Sequence, residues 1–411
     1  MILRSEKISL LCSLTASLVL PVILASGEAC ATNSGHGISA LGWNIVRKSG
    51  SENSVISPTS IWLSLAMTHA GSRGVTAVQL AELLGMPNDP ATIGNAAEGI
   101  NKALKDSENP ALKLNLANRL WIQKNKNLSP GFMSILETNY RAPPGTLDFA
   151  SQPEPSRTAI NNWVSQETNK KIENLLQPGD ITALTRVVIT NAVYFNAAWE
   201  KNFALSETQT RTFALSNTKK IQTAFMHKKT QLTAGVLGTG RSAAYVVELP
   251  YEGAQFQMVL IVPKDIDGLV RVLKNLSGDW WSKALEENKN TENQVVDLYV
   301  PRWSTRKHLT LKETLKSLGI RDAFDPAKAD FSGIDGTKDL VLSNVIHEGF
   351  VEVTERGTEA AAATAATIMT RGAIQFNKEP LKIDANRPFA WAIMDRKSGA
   401  MLFNGIVRDP R

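Results

Sequence analysis

Five histidines, His36, His69, His227, His308 and His347, are the side chains best suited to proton transfer or metal ligation near neutral pH. They are far apart, and none stands in an H-E-x-x-H or H-x-x-x-H arrangement, so the spacing argues against zinc. Each reads as a structural histidine. No G-x-S-x-G elbow, Walker loop or G-x-G-x-x-G follows a strand-like run, so hydrolase, nucleotidase and dinucleotide chemistry lack their usual signatures. A Ser–His–Asp site dispersed along the chain stays open, because triad members need not be neighbours in sequence.

The cysteines point the same way. Both, Cys12 and Cys30, lie in a leader of distinct composition. Arg4 and Lys7 precede an apolar run from Ile8 to Ala25, and small residues then lead to Ala29-Cys30-Ala31. The pattern predicts a signal peptide over residues 1–31, cleaved after Ala31, and a protein secreted or delivered to the periplasm. A membrane anchor is the alternative, and Pro21 and the polar breaks argue against it. Gly27-Glu28-Ala29 is a poor context for lipid attachment at Cys30. The mature chain, 32–411, then has no thiol nucleophile, and packing alone must hold its fold.

The net charge of +6 is spread along the chain, with no block of five basic residues, so no nucleic-acid footprint is expected. No cofactor is expected either. Lys102, Lys105 and Lys113 are too sparse to argue for a glycosaminoglycan.

One segment stands out. Residues 355–371 read Glu-Arg-Gly-Thr-Glu-Ala-Ala-Ala-Ala-Thr-Ala-Ala-Thr-Ile-Met-Thr-Arg. Alanine favours a helix, but small residues fill every side, and a surface helix without an apolar stripe gains little from packing. Pattern and propensity together predict a mobile loop. Arg371 there reads as one more solvated charge.

The elements that must carry this loop form an α+β pattern. Ser57-Pro58 opens a helix that is apolar on most sides and is expected to be buried. Helices are also expected at Thr76–Leu84, Asn161–Leu176 and Leu309–Leu318. Alternation predicts a strand at Leu112–Gln123, and β-branched and aromatic residues predict a central one at Arg186–Phe195. Further strands are expected at Ala244–Leu249, Gln257–Val262, Val295–Arg302, Leu340–Val353, Phe389–Asp395 and Ala400–Val407. Helices early, strands late and no clear linker predict one large domain with mixed or antiparallel sheets.

Several of these segments together resemble the serpin family. Glu355-x-Gly357-Thr358-Glu359-Ala360-Ala361-Ala362 is similar to the hinge of an inhibitory reactive loop. Asn53–Ile61 resembles the family's early buried helix, and Thr190–Phe195 with Trp199 resembles its central strand. Asn386-Arg387-Pro388-Phe389 and Phe403–Val407 resemble its carboxyl-terminal strand pair. The matches run in order from about residue 38 to 411.

The resemblance implies three β-sheets, eight or nine helices and an exposed reactive-centre loop at about 355–385. It also implies a monomeric suicide inhibitor. The protease attacks the loop, forms an acyl-enzyme, and is carried across the molecule as the cleaved loop becomes a strand. Register places the scissile bond at Arg371–Gly372, which implies a trypsin-like serine protease; Met369 or Thr370 would bait others, and a cysteine protease is a second target class. His347 aligns with a histidine of the sheet-opening region, with Ser57 and Asn191 as neighbours, and Trp199 lies near where the loop would enter the sheet or is a plain core aromatic.

In an inserted strand Thr358, Ala360, Ala362, Thr364, Ala366 and Ile368 would face the core, all uncharged and five of them small. Insertion would add on the order of ten ladder bonds, roughly 10 kcal/mol. Gly357 to Arg371 would span about 46 Å. The chain departs from the family at Arg356, where a second hinge acid is usual, and that side chain should face solvent. Two other readings remain: a non-inhibitory serpin acting as carrier or chaperone, and an exported hydrolase.

Overall fold

The computed structural model describes residues 22–106, 112–276, 281, 294–358 and 379–411, with side chains from residue 34. Three sheets and nine α-helices are found among these residues, the α+β class expected.

The main sheet is built on β4 (Val187–Ala198), whose first nine residues are all buried. A strand covered on both faces needs the continuous apolar, β-branched run that this segment carries. On one side β4 pairs antiparallel with β2 (Leu112–Gln123), and β2 pairs with β3 (Gly145–Leu147). On the other side it pairs in parallel with β12 (Leu342–Thr354), from Leu342↔Val187 to Gly349↔Val193. β11 (Trp303–Thr310) completes that edge.

A second six-stranded sheet packs behind. Its order is β1 (Ser54–Ile56), β16 (Met401–Val407), β15 (Phe389–Asp395), β9 (Phe256–Pro263), β8 (Ala244–Pro250) and β7 (Ala234–Leu237). The third sheet has four strands: β14 (Leu381–Asp384), β10 (Gln294–Pro301), β6 (Lys220–Leu232) and β5 (Gln209–Ala214).

Helices clothe the sheets, nine of them among the described residues. α1 (Val22–Lys48) runs across Ala31, so the expected leader boundary falls within a helix. α2 (Pro58–Ala70) is buried along its whole length; Ser57 caps it by accepting from the Ser60 N–H, and Pro58 fits its first turn. α3 (Gly74–Leu84), α4 (Pro90–Asp106) and α5 (Pro130–Tyr140) pack beside it. α6 (Pro153–Glu167), α7 (Leu269–Asn275), α8 (Lys312–Ser317) and α9 (Ser332–Asp335) complete the set. Among the described residues no helix is long and apolar enough to cross a membrane.

The structure corrects three readings. The helix expected at 161–176 is α6, eight residues earlier at its start and ending at Glu167. Prolines fit its first turn, and Asn169 and Lys170 leave it in left-handed conformation. Ile172, Leu175 and Leu176 stay buried without being helical, which is why the apolar pattern outruns the helix. The helix expected from Leu309 begins only at Lys312, because residues 303–310 form β11, an edge strand whose polar alternation hides it. The loop expected from 355 has ordered ends: Gly357–Thr358 is strand β13, and Leu381–Asp384 is β14.

Candidate functional site

After Thr354 the chain turns at Glu355–Arg356 and returns as β13, which lies between β12 and β4. Thr358 pairs with Val353 on one side and Ala197 on the other; Gly357 pairs with Thr354 and Ala198. The two long strands, in contact up to Gly349↔Val193, are thus already separated by a two-residue wedge at this end. Glycine is required at 357. Its φ is +150°, and an added Cβ would lie 2.1 Å from the Ala197 carbonyl oxygen.

Thr358 is fully buried, and its hydroxyl hydrogen-bonds the Tyr251 hydroxyl at 2.6 Å. Burial pushes the Tyr251 phenol far up, with the Thr358 contact opposing, so it serves as a neutral hydroxyl. Trp199 stacks on Tyr251 at 4.6 Å, and its indole N–H donates to the Thr354 carbonyl at 2.9 Å. The backbone N–H groups of Trp199 and Phe203 donate to the Arg356 and Glu355 carbonyls. Trp199 is therefore a clamp on the hinge turn as well as a core aromatic.

Glu355 is the latch of that turn. Its carboxylate accepts from Arg302 Nε at 2.8 and 3.0 Å, from Arg302 Nη2 at 2.5 Å and from Thr208 Oγ1 at 2.5 Å. Burial pushes the carboxyl up, but the Arg302 and Thr208 hydrogen bonds and the Arg302 charge outweigh it and hold the group below its ordinary range. Arg356 beside it is exposed, as expected from the pattern.

The second cluster lies where β12 still touches β4. The structure brings Ser57, Asn191 and His347 together. The Ser57 N–H donates to His347 Nε2 at 3.2 Å, so the proton sits on Nδ1, which donates to the Asn191 side-chain oxygen. The Asn191 amide donates to Ser64 Oγ at 3.1 Å and to Asn118 Oδ1 at 2.9 Å, which also accepts from Ser60 Oγ at 2.5 Å. One network thus ties β12, β4, β2 and α2. Burial, opposed by the Glu348 charge and aided by His308, lowers His347 to about 3, so it is neutral in the fold.

Glu359, Ala360, Ala361, Ala362, Arg371 and Gly372 lie outside the described residues. Thr208, Tyr251 and Arg302 were not singled out from sequence. Each is remote in the chain from the hinge, and nothing in its local pattern names its partner. Among the described residues no cluster of three His, Cys, Asp or Glu is placed to hold a metal ion.

The family model described as "Serpin (serine protease inhibitor)" matches residues 40–410. A serine protease inhibitor of Cyanea capillata is 33% identical over 366 residues, 87% of this chain and 93% of that protein. An uncharacterized serpin-like protein of Methanosarcina acetivorans is 34% identical over 363 residues, 88% of this chain and 82% of that one. Among solved structures, the thermophilic serpin tengpin in its native state superposes with a TM-score of 0.81 at 29% identity, covering 93% of this chain and 94% of that one. An Arabidopsis serpin in a native stressed conformation gives 0.80 at 27%, covering 93% and 98%. Sheet order, hinge and sequence agree: this chain belongs to the serpins, a family made up in the main of protease inhibitors.

Proposed function

We propose that this chain is an exported, monomeric suicide-substrate inhibitor of a trypsin-like serine protease, with Arg371–Gly372 as the bond attacked. The observation that carries this reading is β13: two residues of the hinge already occupy the place between β12 and β4 that the rest of the loop would fill.

The register supports it. Continuing both antiparallel ladders downward, residue 360 falls beside Phe195 and Val351, 362 beside Val193 and Gly349, and 368 beside Val187 and Ser343. Val187 is the first residue of β4, so a strand ending at Ile368 fills the sheet from end to end. Arg371 is then carried past the far edge of the sheet. Insertion exchanges one parallel ladder for two antiparallel ones, a net gain on the order of ten hydrogen bonds and ~10 kcal/mol.

Composition fits each step. Ala362 would arrive between Gly349 and Val193, where even a Cβ on residue 349 would lie 3.1 Å from the Val55 carbonyl oxygen, so a small side chain suits the position. Thr364, the only polar inward residue after the hinge, arrives between His347 and Asn191. Those two must part as the strands separate from ~4.8 Å to about twice that. The incoming hydroxyl can replace the lost bond, so no buried polar group is stranded. Ser57, Asn191 and His347 accordingly hold the sheet shut until cleavage, while Trp199 and the Glu355 latch fix where the loop enters.

The test is incubation of the protein with trypsin. An inhibitor gives a complex that survives SDS; a carrier or chaperone is clipped without trapping, and a hydrolase retains turnover after clipping.

A further inference from the structure

Behind the hinge, the residues after Trp199 open a cavity of about 220 Å³, lined by Lys201, Lys228, Glu200, Glu248, Gln257 and Arg396 among others. Lys228 is the unusual group in it. Its Nζ donates to the Lys201 carbonyl at 2.6 Å and lies over the Phe203 ring, 4.0 Å from the centroid, with Trp199 at 6.0 Å. Among the described residues no carboxylate pairs with it. Burial, with Lys201 adding and Glu200 opposing, lowers its ammonium to about 7. A large share is therefore free amine near neutral pH, the form in which lysine is a nucleophile.

We propose that Lys228 is a covalent binding site for a small anionic carbonyl compound, an aldehyde acid or keto acid, which it takes as an imine. The Nζ lone pair attacks the carbonyl carbon. Its two protons leave with the carbonyl oxygen as water, a C=N bond remains, and no external oxidant or reductant is needed. Lys201 and Arg396 line the cavity without a carboxylate partner among the described residues; the Arg396 guanidinium donates to the Ala254 carbonyl at 3.1 Å. They are placed to receive the ligand's anionic group. Glu200 and Glu248 line the same space and can pass the proton that dehydration of the carbinolamine needs. The volume equals about seven waters at ~30 Å³ each, which suits a ligand of a few heavy atoms. Loading the site takes the ammonium off the faces of Phe203 and Trp199, and so touches the clamp on the hinge.

Glyoxylate and acetaldehyde have the same carbon count and differ in charge. The full chain is incubated with each at pH 7.4, trapped with cyanoborohydride, and mapped by peptide mass spectrometry. Glyoxylate should label Lys228 at least ~10-fold above the median of the other lysines. It should also exceed acetaldehyde at Lys228 several-fold, and Arg396→Ala should abolish that advantage while acetaldehyde labelling of Lys228 persists. Uniform labelling across the lysines overturns the site, and equal labelling by the two aldehydes in the unaltered protein overturns the anion recognition.

Discussion

Replacing Thr358 with arginine puts a charge at the first position the loop must seat. In the intact protein Thr358 has no exposed surface, and its hydroxyl satisfies that of Tyr251, itself fully buried. The intact variant must expel Gly357–Thr358 from between β12 and β4 to keep the guanidinium in water, so the cut loop can seat its first residue only by burying that unpaired charge, at several kcal/mol. Against a total insertion gain of ~10 kcal/mol, the loss leaves little driving force. It also falls at the start, since every later pair must follow Thr358 into the sheet. Thr358→Arg should therefore convert an inhibitor into a substrate. Titration against trypsin reads the outcome directly, as moles of protein consumed per mole of enzyme silenced. We expect near-complete cleavage with little SDS-resistant complex. Stoichiometric inhibition by this variant would refute the claim that insertion begins at β13.

Four further outcomes are expected. Arg371→Ala should abolish trypsin inhibition while leaving the melting temperature unchanged; an unaltered inhibition rate would show that the bait lies elsewhere. Thr364→Val should leave the intact protein's stability as it is and reduce the nicked form's by about 1–3 kcal/mol, because His347 and Asn191 then part without a replacement partner; calorimetry of both forms checks this. His347 is held neutral down to about pH 3 in the fold but protonates near 6.5 when unfolded, so stability falls as pH drops below 6.5, by about 2 kcal/mol at pH 5; His347→Gln should flatten that slope in denaturant melts. Glu355 is depressed in the fold, so its contribution is present above about pH 4.3 and is lost as pH falls through its folded value; Glu355→Gln should cost about 1–2 kcal/mol at pH 7, discounted for the part-exposed Arg302, and nothing in strong acid.

Much of the framework was legible because burial writes itself into pattern. β4 is covered on both faces and reads as an unbroken apolar run; β2 alternates; α2 is apolar all round because it is buried all round. β11 escaped notice because an edge strand keeps a polar face, and α6 was displaced because Ile172, Leu175 and Leu176 are buried by a non-helical segment. The hinge was recognisable as a motif, yet its ordered state was not. Whether Gly357–Thr358 lies in a loop or between two strands depends on Ala197, Val353 and Tyr251, none of which is near it in sequence except Val353. The same holds for Arg302 and Thr208 against Glu355, and for Lys228, whose ammonium is lowered by burial and the Lys201 charge, against Glu200, a setting that only folding assembles.

The mechanism rests on the cut loop lengthening β13 into a full strand. Comparing the melting of the intact chain with that of protein nicked between 369 and 372 measures this most directly. A gain of ~10 kcal/mol over a domain of this length corresponds to a rise of about 13 °C. Equal melting of the two forms would contradict it.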